Sequence, residues 1–363
     1  MLGPTLEVMT SGTRGLLRPR LHWLLIFVPA SIVTAALQQP ELTFVFACLA
    51  IVPLAGMIGR GTEELAIRAG PRVGGLLNAT FGNLTEIIVS ALLIVSGQLV
   101  VVKASLIGSI LGNVLLVLGV SFFAGGLRHK EQHFSARSVN VHSASLFMAV
   151  IGLIMPTIFV VSTNETGQER LVVSVVVSGV LIAVYIATLV FTLITHEDLF
   201  QVAEAEGGRQ PWPAWQAVLL LLVAAILVGV ESELLTRSLE PTITALGISP
   251  VFIGVVVIAI IGNAAEHASA VVFAIRGKAE IAVEIALGSA SQVALFVAPA
   301  LVFFSLIARR PMTFIFTPLE VGAVALATII AALLTMDGRS NWLEGLELMG
   351  VYVIVAVSFF FVH

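Results

Sequence analysis

Apolar residues run along this chain in blocks longer than a buried strand or a soluble helix needs. Eleven such segments lie at about 21–37, 42–59, 73–97, 101–124, 141–161, 170–195, 214–230, 250–274, 280–307, 313–335 and 342–362. A helix rises about 1.5 Å per residue, so roughly 20 apolar residues cross the hydrocarbon core of a bilayer. The pattern predicts an all-α polytopic membrane protein with about 11 transmembrane helices. Pro53, Pro156 and Pro299 fall inside segments and predict kinks. The first segment follows a basic stretch, as a signal peptide would. Its apolar run is long for that and no small-residue cleavage site follows, so it reads as a retained helix.

Composition agrees. The chain is 58% hydrophobic and 11% charged, against roughly 25% charged in soluble domains. Mean hydropathy is +1.06. A net charge of −4 gives no nucleic-acid signal. Cys48 is the single cysteine, which excludes a disulfide framework and a thiolate metal site, and it reads as a small core filler.

Charge placement sets the expected orientation. With eleven spans, only Lys103, Arg170, Arg237, Arg309 and Arg310 of the 18 Lys and Arg fall on one side, leaving 18 − 5 = 13 on the other. The positive-inside rule then puts the N-terminus in the cytoplasm and the C-terminus outside. No organelle signal is evident, which agrees with a multi-pass protein of a prokaryotic plasma (inner) membrane.

The chain also repeats itself. Phe81-Gly82-Asn83-Leu84-Thr85-Glu86 resembles Ile261-Gly262-Asn263-Ala264-Ala265-Glu266, at a lag of 262 − 82 = 180. Gly108-Ser109 and Gly288-Ser289 share that lag, as do Gly74 and Gly254. Each copy would hold five spans. Five is odd, so the second copy must cross in the opposite sense, an inverted repeat of the kind secondary transporters use. The expected division is an N-terminal segment with the first helix (1–41), a first five-helix repeat (42–195), an acidic cytosolic linker (196–213) and a second, inverted repeat (214–363).

Glu86 and Glu266 lie deep in apolar sequence. A charge there costs about 2.5–3.5 kcal/mol even on lenient scales, so each should face a cavity, a cation or a proton, or else tie helices together as the neutral acid. Asn83 and Asn263 stand three residues before them, on the same helical face. Gly82 and Gly262 can loosen the helix and free backbone carbonyls. Ser109 and Asn113 are four apart in the following span, and Ser289 and Gln292 three apart in its counterpart. Such an oxygen-only set suits a hard cation such as Ca2+, which takes about 6–8 oxygens; interhelical hydrogen bonding is the other use of these side chains. Two carboxylates can hold one divalent cation or two protons. Competition for the same oxygens gives antiport, and two H+ per Ca2+ would be electroneutral at the site.

His267 stands about 100° around the helix from Glu266, placed to relay protons or to bond a neighbouring helix. Glu284 lies one turn before Gly288, near the expected cytoplasmic mouth, and its repeat partner is Ala104. Glu231, Glu233 and Glu320 fall near span ends and are expected to be solvated.

With these residues in view, the chain resembles the cation/H+ exchangers (CAX) of the Ca2+/cation antiporter superfamily. Asn78–Glu86 is similar to their first signature and Gly262–Ala268 to their second; Lys103–Asn113 and Ala286–Gln292 resemble the helices that follow. The resemblance implies Ca2+/H+ antiport, with Glu86 and Glu266 as alternating carriers of cation and proton, and with the Asn, Ser and Gln positions in support. It implies that the second and seventh spans slide to gate access. The stretch His196–Gly208, with Glu197, Asp198, Glu204 and Glu206, resembles the family's acidic helix, which collects or senses cytosolic Ca2+. No cofactor is expected beyond the transported ions; the partners are Ca2+, H+ and the lipid bilayer, with homo-oligomerisation left open.

Other classes fit less well. Na+/Ca2+ exchangers of the superfamily carry a Ser-rich turn with Pro before the glutamate, where this chain has Asn and no Pro. A passive channel is allowed by the carboxylates but not favoured by an inverted repeat. No zinc-ligand spacing or nucleophile motif marks an enzyme.

Overall fold

The computed structural model describes residues 23–163, 167–196 and 211–362. Apolar blocks fold into helices because no other open element satisfies its own backbone in lipid. The first helix among the described residues is α1 (Leu24–Ala36), a shorter apolar helix. A first set follows: α2 (Pro40–Ala69), α3 (Pro71–Phe81), α4 (Leu84–Val95), α5 (Leu99–Gly126), α6 (Ala136–Thr163) and α7 (Glu169–Thr195). The second set repeats the order: α8 (Ala214–Leu246), α9 (Pro250–Gly262), α10 (Ala264–Ile275), α11 (Ala279–Ile307), α12 (Pro318–Thr335) and α13 (Trp342–Phe360).

Among the described residues nine spans are long and apolar enough to cross a bilayer, α3 and α4 counting as one. The bent α9–α10 pair makes a tenth, and α1 accounts for the last of the eleven apolar segments. The turns after α4 and α10 are built alike: Gly97 at φ 81° and Gly277 at φ 76° take the left-handed backbone that glycine adopts without strain, and they are 180 apart.

Contacts between loops check the parity of the crossings. A short antiparallel strand pair, β1 (Gln132–His133) with β2 (Arg339–Ser340), joins the loops that follow α5 and α12. Those loops follow the fourth and tenth crossings, so they must share a side. On the other side, Lys103 Nζ at the start of α5 donates to the Ile315 carbonyl before α12 at 2.7 Å.

α2 and α8, the longest helices, lie side by side and join the two sets. Gly61 lets the Leu221 turn approach closely: a methyl placed on Gly61 would meet the Ala217 carbonyl at 3.2 Å. Beyond α8's start the pairing is tied by polar groups, since Glu64 accepts from the Trp212 backbone N–H at 3.0 Å and the Arg60 guanidinium lies over the Trp212 ring. α1 leans on both. Side chains such as Val176, Leu222, Leu333 and Ile354 are more than half exposed, giving an apolar girdle where water would be unfavourable.

Candidate functional site

Helix breaks make the site. α3 stops at Phe81 and α4 starts at Leu84; α9 stops at Gly262 and α10 starts at Ala264, with a 62° bend. Asn83 (φ −94°, ψ 17°) and Asn263 (φ −98°, ψ 5°) occupy the breaks in nearly the same conformation. The first break is gentler, since Arg72–Val95 still passes as one span. Each glutamate then sits in the first turn after its break.

The two breaks face each other, and each carboxylate seats in the opposite one. A Cβ on Gly82 would lie 3.6 Å from Glu266 Oε1; a Cβ on Gly262 would lie 3.5 Å from Glu86 Cγ and 3.8 Å from its Oε1. The neighbouring spans are held in register by amides. Asn83 Nδ2 donates to Gln292 Oε1 at 2.7 Å, Asn263 Nδ2 to Ser109 Oγ at 3.1 Å, and Asn113 Nδ2 to Ser289 Oγ at 3.1 Å. Ser289 also bonds Glu266. All eight polar residues expected at the site are thus brought together by α4, α5, α10 and α11 and the two breaks.

What these bonds leave over is informative. With each amide nitrogen engaged, Asn83 Oδ1, Asn113 Oδ1 and Asn263 Oδ1 have no hydrogen-bond partner, nor have Glu86 Oε2, Glu266 Oε2 and His267 Nε2. These six are half of the twelve such buried side-chain atoms among the described residues. Buried polar atoms are normally satisfied, so five oxygens without a protein partner at one place are available to accept from water or to coordinate an ion. A cavity of about 20 Å³ beside Glu86, bounded by Ser90, Ser105, Ser109 and Gly262, has room for one water or ion. Among the described residues no three His, Cys, Asp or Glu gather as a metal cluster, so two carboxylates set the charge of the site.

Sequence reasoning passed over Ser90 and Ser105. Each lies one turn from a chosen residue, Glu86 or Ser109, so helical spacing carried the signal. It also passed over π-helical turns at Gly112–Val117 in α5 and Val293–Val297 in α11, which begin beside Ser109–Asn113 and Ser289–Gln292. Such turns recur at functional sites because the extra residue re-aims side chains.

Comparison with known proteins agrees with this arrangement. Residues 41–194 and 216–361 match the sodium/calcium exchanger protein family. The chain belongs to this family. Among relatives of this exchanger, a Ca2+/H+ antiporter of Aphanothece halophytica is 43% identical over 93% of this chain and 95% of its own. The Ca2+/H+ antiporter ChaA of Bacillus subtilis (strain 168) is 42% identical over 92% of this chain and 96% of its own. The solved structure of native YfkE superposes with a TM-score of 0.83 at 37% identity, covering 94% of this chain and all of that one. Exchangers move ions rather than break covalent bonds, so the reading as a transporter and not an enzyme stands, and the CAX resemblance is borne out by these relatives.

Two expectations need correction. Glu231 is not solvated: it is fully buried in α8 and accepts a 3.0 Å hydrogen bond from Ser31 of α1. The apolar run ends there, but the exchanger's α8 continues and α1 covers the carboxyl. Glu320 is buried too, because it closes a capping box at the start of α12: Thr317 Oγ1 accepts from the Glu320 N–H and Glu320 Oε2 from the Thr317 N–H. Glu233 does reach solvent, paired with Arg237 at 2.7 Å one turn on. Glu197, Asp198, Glu204 and Glu206 lie outside the described residues.

Proposed function

We propose that this chain is a secondary Ca2+/H+ antiporter that works by alternating access at a midplane site built on Glu86 and Glu266. The reciprocal seating of the two carboxylates in opposite helix breaks carries the reading. It brings two negative groups, three unpartnered amide oxygens and the serine hydroxyls around one position, an oxygen set suited to Ca2+. The names of the similar Ca2+/H+ antiporters support the choice of ions.

In this mechanism the cation and two protons exclude one another. Ca2+ bound between the carboxylates leaves them ionised; when it departs, two anions buried at close range are neutralised by protons. Asn83, Asn113 and Asn263 complete the coordination while their N–H2 groups keep the surrounding helices fixed. His267, half-buried beside Gly112 with its Nε2 buried, is available to pass a proton to the neighbouring Glu266.

Alternation is supported by an asymmetry between the repeats. On one side of the site α9 packs directly on α5: a methyl on Gly108 would fall 2.6 Å from Val255 Cα, and one on Gly254 2.7 Å from the Val101 carbonyl oxygen. On the other side the equivalent glycines do not meet. Gly74 faces Ala66 of α2, and among the described residues Gly288 faces only His142. The reading takes this as a state sealed outside and open toward the cytoplasm, with the N-terminus cytoplasmic, in the plasma membrane of a prokaryote. It treats 42–195 and 214–363 as the two inverted repeats, with α2 and α8 as the elements that slide.

The deciding experiment is uptake of radiolabelled Ca2+ into proteoliposomes with an imposed pH gradient. Uptake should need that gradient, ignore a Na+ gradient and vanish in Glu86→Gln and in Glu266→Gln. Uptake driven by Na+ would replace the coupling ion, and normal uptake in both variants would remove the site.

A further inference from the structure

The pair Glu284–His142 has no equivalent in the first repeat. Glu284 of α11 is bonded to His142 Nε2 at 2.8 Å and receives the Ser138 hydroxyl, both from α6. The main chain at His142 is pinned as well, since Ser291 Oγ donates to its carbonyl oxygen at 3.3 Å. Both side chains are mostly buried, with 16% and 22% of their surface exposed. At the matching place in the other repeat stands Ala104, which packs under Gly254.

Where the ring lies matters more than its charge. The Cε1 atom of His142 is 3.8 Å from where a Gly288 Cβ would be, and among the described residues nothing else outside its own helical turns comes within 4 Å of that position. Gly108, the repeat partner of Gly288, is covered instead by the backbone of Val255 in α9. Subtracting the lag, 255 − 180 = 75, so the inner half would seal by laying the backbone at Gly75 of α3 onto Gly288. Gly75 now rests against the Leu193 side chain of α7. The ring of His142 therefore occupies the seat that α3 must take.

We propose that His142, held over Gly288 by Glu284 and Ser138, is a positioning residue that keeps the inner gate open until the ring withdraws. Closure on the inner side then differs from closure on the outer side. The outer gate is backbone on backbone; the inner gate must first displace a side chain anchored by a carboxylate. This rests on the alternating-access reading above.

The test uses the lone, buried Cys48 to advantage. In a Cys48→Ala background, Val73→Cys and Lys278→Cys place nitroxide labels at the inner ends of α3 and α11, and spin–spin distances are measured in nanodiscs. The parent should show mainly a long distance. His142→Gly should raise the short-distance population about fivefold, the low end of ordinary coupling energies. Glu284→Ala should move it the same way by releasing the ring. His142→Gln, whose amide still covers Gly288 and reaches Glu284, should restore the parent distribution, which mere loss of packing would not do. A His142→Gly distribution that overlies the parent's overturns the proposal. Should that variant fail to stay monodisperse, Glu284→Ala decides by the same two outcomes. Ca2+ uptake by Glu266→Gln in the same background separates the readings. Lost uptake with unmoved distances removes the gate alone, and retained uptake removes the site whatever the distances do.

Discussion

Asn113 shows how a single side chain serves two purposes at the site. Its nitrogen ties α5 to α11 through Ser289, and its oxygen is left bare. Asn113→Ala removes a proposed ligand and a strut together, so half-saturating Ca2+ should rise about tenfold, equivalent to about 1.4 kcal/mol, in an uptake titration. Asn83, Asn263, Glu86 and Glu266 were legible because the Gly-Asn-x-x-Glu pattern occurs twice at one lag. The orphaned oxygens were not legible, since nothing in a sequence says which end of an amide is engaged. Nor was the burial of Glu231. It follows an apolar run, but whether Ser31 lies over it depends on how α1 docks, which no local pattern encodes.

At the level of helices, glycine pairs decide which surfaces can touch. Gly108 has no room for a Cβ against α9, whereas Gly288 has ordinary van der Waals space. Gly108→Ala should therefore cost about 1–3 kcal/mol, as overpacking does, and lower the melting temperature in detergent. Gly288→Ala should leave that temperature nearly unchanged and yet slow exchange, because its close approach belongs to the other state. Equal effects of the two substitutions on stability would contradict the asymmetry. A separate outcome concerns the capping box of α12: Thr317→Ala should lose about 1 kcal/mol without altering Ca2+ dependence, seen by thermal unfolding beside uptake. The repeat of Gly74, Gly82 and Gly108 announced two copies of one unit. It could not announce that the copies differ in contact, because identical lags fit either gate being shut. The π-helical turns were likewise silent, since the residues of Gly112–Val117 and Val293–Val297 are of the same kinds as those in the neighbouring α-helical turns.

For the molecule as a whole, the proposed site, with two carboxylates and no third beside them among the described residues, sets a gearing. One pH unit is worth about 1.4 kcal/mol per proton, so two protons carry roughly 2.7 kcal/mol against each Ca2+. At balance the Ca2+ ratio across the membrane then follows the square of the H+ ratio, about a hundredfold per pH unit. On the proposed two-proton exchange no net charge moves, so membrane voltage should neither assist nor oppose it. Plotting the logarithm of the steady-state Ca2+ ratio in vesicles against the pH difference should give a slope of two, unchanged by valinomycin-clamped potentials. A slope of three would enlist a further acid, with buried Glu231 and half-buried Glu284 the groups to replace first. On this proposal a cell using this chain clears Ca2+ only as deeply as its pH gradient allows, and a collapse of that gradient lets the same two glutamates run the exchange backwards.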